Sequence, residues 1–98
     1  ACPATSTRPP MPTVWIVLVD YNGLDDTRRC LDSLASLADP ARVVVVDNAG
    51  SRDVAAELAP AFPWADFVRS PVNGGWAGGN NVGLRHALAR GADWVVLL

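Results

Sequence analysis

Residues Asn73–Leu84 read NGGWAGGNNVGL, and the rest of the chain is organised around this stretch. A pair of glycines lies on each side of Trp76, and asparagines open the stretch and follow the second pair. Gly and Asn adopt positive φ at low cost, and glycine lets a ligand approach the backbone closely. The pattern predicts a long loop that leads into a helix capped by Asn80 or Asn81.

Two interpretations of this loop stay open: a seat for an anionic or polar ligand, and an ordinary surface loop. A helix start offers free N–H groups and a positive dipole end, which suit an anion. Gly74 and Gly79 have the separation of a Walker A loop, but Asn80 and Asn81 stand where Lys and Ser or Thr are needed. A P-loop ATPase is therefore rejected. The dinucleotide-binding glycine fingerprint is missing as well, since only Gly23 follows the first predicted strand.

Continuous apolar runs rich in β-branched residues lie on either side of the glycine stretch and predict buried strands. Apolar residues at spacings of three and four predict helices between them. This order is typical of an α/β fold, a Rossmann-like parallel sheet with helices on both faces, about four strands and three helices. The predicted strands are Val14–Asp20, Arg42–Asp47, Ala65–Arg69 and Asp93–Leu98, and the predicted helices are 24–38, 52–59 and about 81–90.

Short polar residues and prolines at the ends of these segments predict helix caps and stops. The acids Asp25 and Asp26 would stand in the first turn of the first helix, where the helix dipole favours negative charge. The predicted N-caps are Asn22 and Ser51, the predicted C′ residue is Gly91, and the predicted stops are Asp39–Pro40 and Pro60.

Length and composition indicate one small domain with a real core, because half of the 98 residues are apolar. We assign that domain to residues 14–98 and a flexible, proline-rich tail to residues 1–13, in which Met11 is a candidate native start. A net charge of −2 gives no basic footprint, so nucleic acid is not an expected partner.

The cysteines and the apolar runs indicate a cytoplasmic location. Cys2 and Cys30 show no metal-ligand spacing with the single histidine, His86, and a reducing compartment suits them better than a disulfide scaffold. No apolar run reaches the length of roughly 18 residues that a membrane span needs, and no signal peptide pattern is present.

Ligands of parallel sheets bind beyond the carboxyl ends of the strands. The candidates at those ends are Tyr21, a ring that could stack on a base, and Asp47, an acceptor for a ligand's N–H or hydroxyl groups. The alternative for Asp47 is a turn or cap residue. Trp76 is interpreted as an anchor that pins the loop, in preference to a pocket wall. Packing roles are expected for Trp15, Trp64 and Trp94, and His86 is expected to be a packed or surface histidine.

Four blocks of the sequence together resemble the N-terminal half of family 2 glycosyltransferases, with the rhamnosyltransferase-like branch the nearest. The blocks are VWIVLVDYNG, RVVVVDNAGS, NGGWAGGNNVGL and GADWVVLL, and the likeness covers about Pro12–Leu98. Each block alone is weak, but four in the right order and spacing are specific. The resemblance implies a partial GT-A fold, a nucleotide-binding α/β half that holds a nucleotide-diphosphate sugar.

The resemblance also implies roles for single residues. Tyr21 and Asn22 would lie by the base, Asp47 would bond the base or ribose, and Asn48 would support that turn. Residues of the glycine stretch would shape the loop around the nucleotide, namely Gly75, Trp76, Gly78 and Asn80. The family transfers a sugar to an acceptor hydroxyl, commonly with inversion. A carboxylate acts as base, and Mg²⁺ or Mn²⁺ on an Asp-x-Asp motif steadies the departing diphosphate.

This sequence departs from the family pattern at two places. The acidic metal motif would follow VVLL directly, and Leu98 is the last residue, so we expect the metal ligands, the catalytic base and the acceptor half to lie outside these 98 residues. Asp20 stands where relatives more often have a small or hydroxyl residue. No catalytic residue is assigned, and a chain that does not transfer sugar alone is expected.

The expected partners follow from the same resemblance. They are a UDP- or dTDP-sugar donor and a glycan or lipid-linked acceptor, with peripheral membrane association of the full enzyme. Self-association is also expected, because the last strand should pair beside the first and leave an apolar edge exposed.

Two alternatives belong to other functional classes. A receiver-like signalling domain would explain VLVDYN, but it needs a later phosphoacceptor Asp and a Lys, and the chain has no lysine. The other alternative is a nucleotide-binding or assembly module without catalysis.

Overall fold

A computed structural model of the protein describes residues 12–36 and 41–98. The predicted tail, up to residue 11, and the predicted stop at Asp39–Pro40 lie outside the described residues. Strands and helices alternate along the chain, as the hydrophobic pattern predicts. The elements are β1 (Val14–Asp20), α1 (Leu24–Ala35), β2 (Arg42–Asp47), α2 (Val54–Leu58), β3 (Asp66–Arg69), α3 (Gly75–Ala89) and β4 (Trp94–Leu97).

The four strands form one parallel sheet in the order β3-β2-β1-β4. The long central strands β1 and β2 pair from Trp15 and Arg42 to Asp20 and Asp47. The α/β class, the parallel sheet and the pairing of the last strand beside the first are confirmed.

The helices cover both faces of the sheet, as predicted. Successive side chains of a strand point to opposite faces, so each central strand contributes to two cores. Ile16 and Leu18 of β1 pack with Leu31 of α1 and Leu58 of α2 on one face. On the other face, Trp15, Val17, Val44 and Val46 pack with Ala87 of α3. The valine run of β2 is buried on both faces, which explains its unbroken apolar character.

The predicted caps of α1 and α2 are wrong by one or two residues. Gly23, not Asn22, is the N-cap of α1, because Asn22 takes a left-handed conformation with φ of 54° and turns its side chain to a neighbouring loop. Asp53, not Ser51, caps α2 by accepting from Ala56 N at 3.1 Å. Gly91 does follow the end of α3 with φ of 82°, which confirms its predicted C′ role.

The largest error of the sequence analysis concerns the glycine stretch. It is not a loop up to Asn81: α3 begins at Gly75, and Asn80 and Asn81 lie inside the helix instead of capping it. Glycine is a poor helix former, yet a Cβ on Gly79 would approach Val19 Cγ1 to 2.6 Å. The glycines therefore let the helix axis lie close to β1, and packing outweighs local propensity.

The edge strand β4 and the residue after it expose apolar side chains, as expected for the last strand. Trp94 is 66% exposed and Leu98 55% exposed, so Trp94 lies outside the core. Trp64 is half exposed and contacts Phe62 edge to face, whereas Trp15 is buried as expected. Self-association through this edge stays a prediction.

Candidate functional site

The carboxyl ends of β1 and β2 place two aspartates side by side. Asp20 and Asp47 are paired in the register of the two strands, and both are at least nine-tenths buried. Asp20 lies two positions after Leu18, and Asp47 lies two positions after Val45. Both carboxylates therefore lie on the same sheet face as these core residues, the face that α1 and α2 cover. Buried carboxylates need compensating donors, and each finds them differently.

Asp47 is bonded entirely to the protein. Its Oδ1 accepts from Gly50 N at 3.2 Å, and its Oδ2 accepts from Arg69 Nη1 at 2.7 Å and more weakly from Val54 N at 3.5 Å. Arg69 also donates to the carbonyl of Gly50 at 3.0 Å. The side chain therefore ties the turn after β2 to the end of β3, which is the turn role that the sequence left open beside ligand binding.

The turn after β1 is joined to the turn after β2 through Asn22. Its Oδ1 accepts from Ser51 N at 2.8 Å and from Ser51 Oγ at 3.0 Å. Beside this junction lies a pocket of about 420 Å³ between the start of α1 and the turn before α2. Residues from both turns and from the start of α1 line it: Asp20, Asn22, Gly23, Leu24, Asp25, Asp26, Arg29, Gly50, Ser51, Arg52 and Val54.

Asn48 joins the end of β2 to the start of α3. Its Nδ2 donates to Asn73 Oδ1 at 2.9 Å and to the carbonyl of Gly75 at 3.0 Å, and its Oδ1 accepts from Gly74 N at 3.3 Å. Asn73 Oδ1 also accepts from Gly75 N at 2.8 Å. A buried amide thus fixes the chain as it enters the helix, and Gly75 meets this geometry with φ of 70°.

Two aromatic side chains at the same edge are open to solvent. Tyr21, directly after β1, is 53% exposed, and Trp76, the second residue of α3, is 64% exposed. The interpretation of Trp76 as a buried anchor is therefore wrong. Both rings are available to a ligand at the carboxyl edge of the sheet.

Two further predicted site residues lie within α3. A Cβ on Gly74 would come within 3.0 Å of Gly78 Cα, so the absence of a side chain at Gly74 allows the tight first turn of the helix, whereas a Cβ at Gly78 would meet no atom within 4 Å. Asn80 is buried, and neither of its amide atoms has a hydrogen-bond partner among the described residues. An unpaired buried polar group costs about 1–3 kcal/mol. Nucleotide contact by Gly78 and Asn80 stays a prediction.

Sequence reasoning missed two residues that build this edge, and it noted a third, Asp20, without giving it a role. Asn73 begins the glycine stretch but was given no role, although Asx residues commonly bond the backbone two positions on. Arg69 closes β3 and could have been found as the strand-end cation beside Asp47. Asp20 lies on the same face as Asp47, which its position in the strand pattern already implied.

His86 lies away from this edge and is a packed histidine, as expected. Its Nε2 is 2.7 Å from Asp66 Oδ2 at the start of β3, and its ring contacts Trp15 edge to face. Within residues 12–36 and 41–98, no group of three or more His, Cys, Asp or Glu side chains is arranged to hold a metal ion. No helix in this described part has both the length and the apolar character that crossing a membrane requires.

Comparison with known proteins identifies the family. The family model described as glycosyl transferase family 2 matches residues 15–98. The chain belongs to glycosyl transferase family 2. It is also 41% identical over 88 residues to galactofuranosyltransferase GlfT1 of Mycobacterium tuberculosis, in strains CDC 1551 and H37Rv alike. The match covers 87% of this chain and 29% of each relative.

Membership of family 2 confirms the resemblance and sets aside the receiver-like domain, because the family match includes all four quoted blocks except the first residue of the first block. The match does not test the nucleotide-binding or assembly module without catalysis, which stays an alternative. The rhamnosyltransferase-like branch stays a prediction, and the matched relatives carry the name of a galactofuranosyltransferase.

The bonds of Asn48 predict a measurable effect on the start of α3. In Asn48→Asp, a carboxylate oxygen would face Asn73 Oδ1 and the carbonyl of Gly75, and two donated bonds would be lost. We expect the free energy of unfolding to fall by about 1–3 kcal/mol and the amides of Gly74 and Gly75 to exchange faster. Denaturant unfolding and hydrogen exchange measure both. The exposed Asn81→Asp should change stability by less than about 0.5 kcal/mol, and equal losses in the two variants would contradict this assignment.

Proposed function

We propose that this family 2 chain binds a nucleotide-diphosphate sugar, a UDP- or dTDP-sugar, for transfer of the sugar to an acceptor hydroxyl. The observation that carries this proposal is the joining of three strand ends. Asn22 ties the turns after β1 and β2, and Asn48 ties β2 to the start of α3. The carboxyl edge of the sheet therefore connects the pocket beside α1 with the start of α3. A nucleotide-diphosphate sugar, which has a base at one end and phosphates further along, requires two such neighbouring sites.

The charges at the starts of α1 and α3 indicate which end of the ligand each part of the edge would hold. The first turn of α3 contains no acidic residue, and its N-cap Gly74 offers no side-chain cap. The N–H groups of Gly74 and Gly75 are bonded to Asn48 and Asn73, which leaves those of Trp76 and Ala77 at the start of this 15-residue helix for an anion. The first turn of α1 contains Asp25 and Asp26, which disfavour an anion. We therefore place the diphosphate towards α3 and the nucleoside towards the pocket beside α1.

The predicted contact residues divide into two aromatic side chains that would face the ligand and three polar side chains that hold the turns, so base or ribose contact by Asn22 and Asp47 stays a prediction. Tyr21, exposed directly after β1, would stack on the base, and Trp76, exposed at the start of α3, would flank the diphosphate or the sugar. Asn22, Asp47 and Asn48 would hold the turns that shape the edge. The unpaired amide of Asn80 supports a functional position, because such groups are rare without a compensating role.

The sugar is proposed from the relatives alone. The name of the matched relatives makes a galactofuranosyl donor the first to test, beside a rhamnosyl donor. A glycan or lipid-linked acceptor is proposed from the family. Peripheral membrane association and a cytoplasmic location stay predictions.

The described residues do not fit the divalent metal that the family uses, because they provide no cluster of acidic or imidazole ligands. We therefore propose no metal-dependent step for these residues. The chain also spans 29% of the length of its relatives. We expect the 98 residues to bind the donor nucleotide without transferring sugar.

Calorimetry with UDP and dTDP tests the binding, and a donor-hydrolysis and transfer assay tests the inactivity. We expect measurable binding of at least one nucleotide, and a loss of affinity on the order of tenfold in Tyr21→Ala, from the loss of base stacking. The half-exposed Trp64→Ala is the matched aromatic control and should bind normally. The absence of binding would overturn the proposed function, and turnover by the chain alone would overturn the expected inactivity.

A further inference from the structure

Two asparagine–glycine pairs lie at the carboxyl edge of the sheet, Asn22–Gly23 before α1 and Asn73–Gly74 before α3. Such a pair can react with itself, because glycine has no side chain to hinder attack of its backbone nitrogen on the preceding side-chain amide. Both asparagines are exposed, so water reaches them. The two pairs differ in their hydrogen bonds, and this difference decides which pair reacts.

The side-chain carbonyl groups of the two asparagines are in matched environments. Asn22 Oδ1 accepts from Ser51 N and Ser51 Oγ. Asn73 Oδ1 accepts from Asn48 Nδ2 and Gly75 N. Two donors on a carbonyl oxygen stabilise the negative charge that the oxygen acquires when a nucleophile adds to its carbon. The carbon under attack therefore does not distinguish the two pairs.

The attacking nitrogen does distinguish them. Gly74 N donates to Asn48 Oδ1 at 3.3 Å, and Asn48 is only 2% exposed. Gly23 N, in contrast, has no hydrogen-bond partner among the described residues. The nitrogen must lose its proton and move towards the side chain in order to attack, and a hydrogen bond that holds the N–H opposes both changes. The nitrogen of Gly23 is therefore the more reactive of the two.

The backbone at Asn22 is also easier to turn. Closure of the ring rotates the bond between the Cα and the carbonyl carbon of the asparagine. Within residues 12–36 and 41–98, neither the N–H nor the C=O of Asn22 makes a backbone hydrogen bond, and its φ of 54° is unfavourable for a residue with a side chain. The rotation disturbs one neighbouring bond, from Thr27 N to Gly23 O at 2.9 Å. At the other pair it would disturb the contacts of the glycine stretch with Asn48.

We propose that Asn22–Gly23 is a site of spontaneous deamidation through a succinimide, and that Asn48 protects the pair Asn73–Gly74. Gly23 N bonds to Asn22 Cγ, the bond from Cγ to Nδ2 breaks, and Nδ2 leaves as ammonia with the proton lost by Gly23 N. Water then opens the ring. Cleavage at Cγ gives aspartate, and cleavage at the original main-chain carbonyl carbon gives isoaspartate. The reaction needs no ligand, so this inference does not rest on the proposed function.

The two products change the edge of the sheet in different ways. Aspartate at position 22 keeps a side-chain oxygen that can accept from Ser51 N. In isoaspartate the former side-chain carbonyl becomes part of a longer main chain, so the bond that joins the turns after β1 and β2 is lost. Either product adds a negative charge to a pocket wall that already contains Asp20, Asp25 and Asp26.

Incubation of the 98-residue chain in mildly alkaline buffer, followed by peptide mapping with mass spectrometry, tests the proposal. Cleavage after arginine separates the two sites, because Arg28 and Arg69 lie between them. Asn22 should lose its amide at least about tenfold faster than Asn73, the factor in rate that one hydrogen bond at the attacking nitrogen gives. In guanidinium chloride the two rates should become equal, since both sites are then plain Asn-Gly pairs. Equal rates in the folded chain, or a faster loss at Asn73, would overturn the proposal.

Gly23→Ala tests the attack without disturbing the fold. A Cβ at Gly23 would meet Tyr21 O at 3.9 Å and no closer atom, and the φ of −117° suits alanine. The added methyl group beside the attacking nitrogen should slow the loss of the amide at Asn22 at least about tenfold. The rate at Asn73 should stay at its wild-type value. An unchanged rate at Asn22 would show that the amide is lost without a succinimide.

The consequence for the edge is measured on the incubated wild-type chain. Ion exchange separates the deamidated forms, and enzymatic methylation identifies isoaspartate. The isoaspartate form should unfold at a lower denaturant concentration than the aspartate form, because only the aspartate form keeps the bond to Ser51 N. Coincident unfolding curves would overturn the assigned loss of the joint, whereas the comparison of the two rates tests the site itself.

Discussion

Replacing Gly83 by alanine should destabilise the protein by about 2 kcal/mol or more, despite the better helix propensity of alanine. Gly83 lies in the middle of α3, where a Cβ would fall well inside van der Waals contact of Val17 Cγ1 and within 3.1 Å of Val46 Cγ2. Valine is stiff at χ1, and both valines belong to the buried centre of the sheet. Neither neighbour can rotate away, so α3 would have to move off the sheet.

Gly78→Ala is the matched control, because it places the same methyl group in the same helix. No atom lies within 4 Å of a Cβ at Gly78, so only the helix propensity changes there. We expect this variant to be more stable by up to about 1 kcal/mol. Thermal unfolding should separate the two variants by roughly 10 °C or more, since about 1 kcal/mol corresponds to 4–8 °C in a domain of this size. Equal melting temperatures would show that α3 does not lie this close to β1.

The glycines of α3 also show why the sequence analysis predicted a loop where this helix begins. The stretch contains low-propensity residues, and a local reading predicts a loop wherever such residues cluster. The packing of Gly79 and Gly83 against Val19 and Val17 depends on the position of β1, which lies far away in the sequence. Information of this kind is absent from any local window.

The strands, in contrast, could be predicted from the sequence because their evidence is local. Runs such as Arg42–Asp47 are apolar throughout, and only a strand buried on both faces demands that pattern. The parallel topology then brings the strand ends to one edge without further knowledge. The side-chain bonds at that edge, such as Asn48 to Asn73, could not be predicted, because several polar residues in each turn could have made them.

Asp47→Ala should lower the free energy of unfolding by about 2–3 kcal/mol, the range of a buried hydrogen bond to a charged group. The substitution leaves the N–H of Gly50 without its acceptor and releases Arg69 from the turn. Arg69 is half exposed and can return to water, which keeps the loss below that of a fully buried pair. Denaturant unfolding measures the loss.

Asp53→Ala is the control for the removal of a carboxylate near α2, since Asp53 accepts one exposed cap bond. It should cost about 1 kcal/mol. Adding Arg69→Ala separates the contribution of the ion pair from that of the turn. The double variant should lose less free energy of unfolding than the sum of the two single losses, because each single variant already removes the ion pair. If Asp47 served only a ligand, Asp47→Ala would weaken nucleotide binding while the unfolding curve stayed at the wild-type position. If Asp47 has a structural role, the unfolding curve of Asp47→Ala shifts to lower denaturant concentration, since the turn that contains Asn48 and Ser51 depends on this carboxylate.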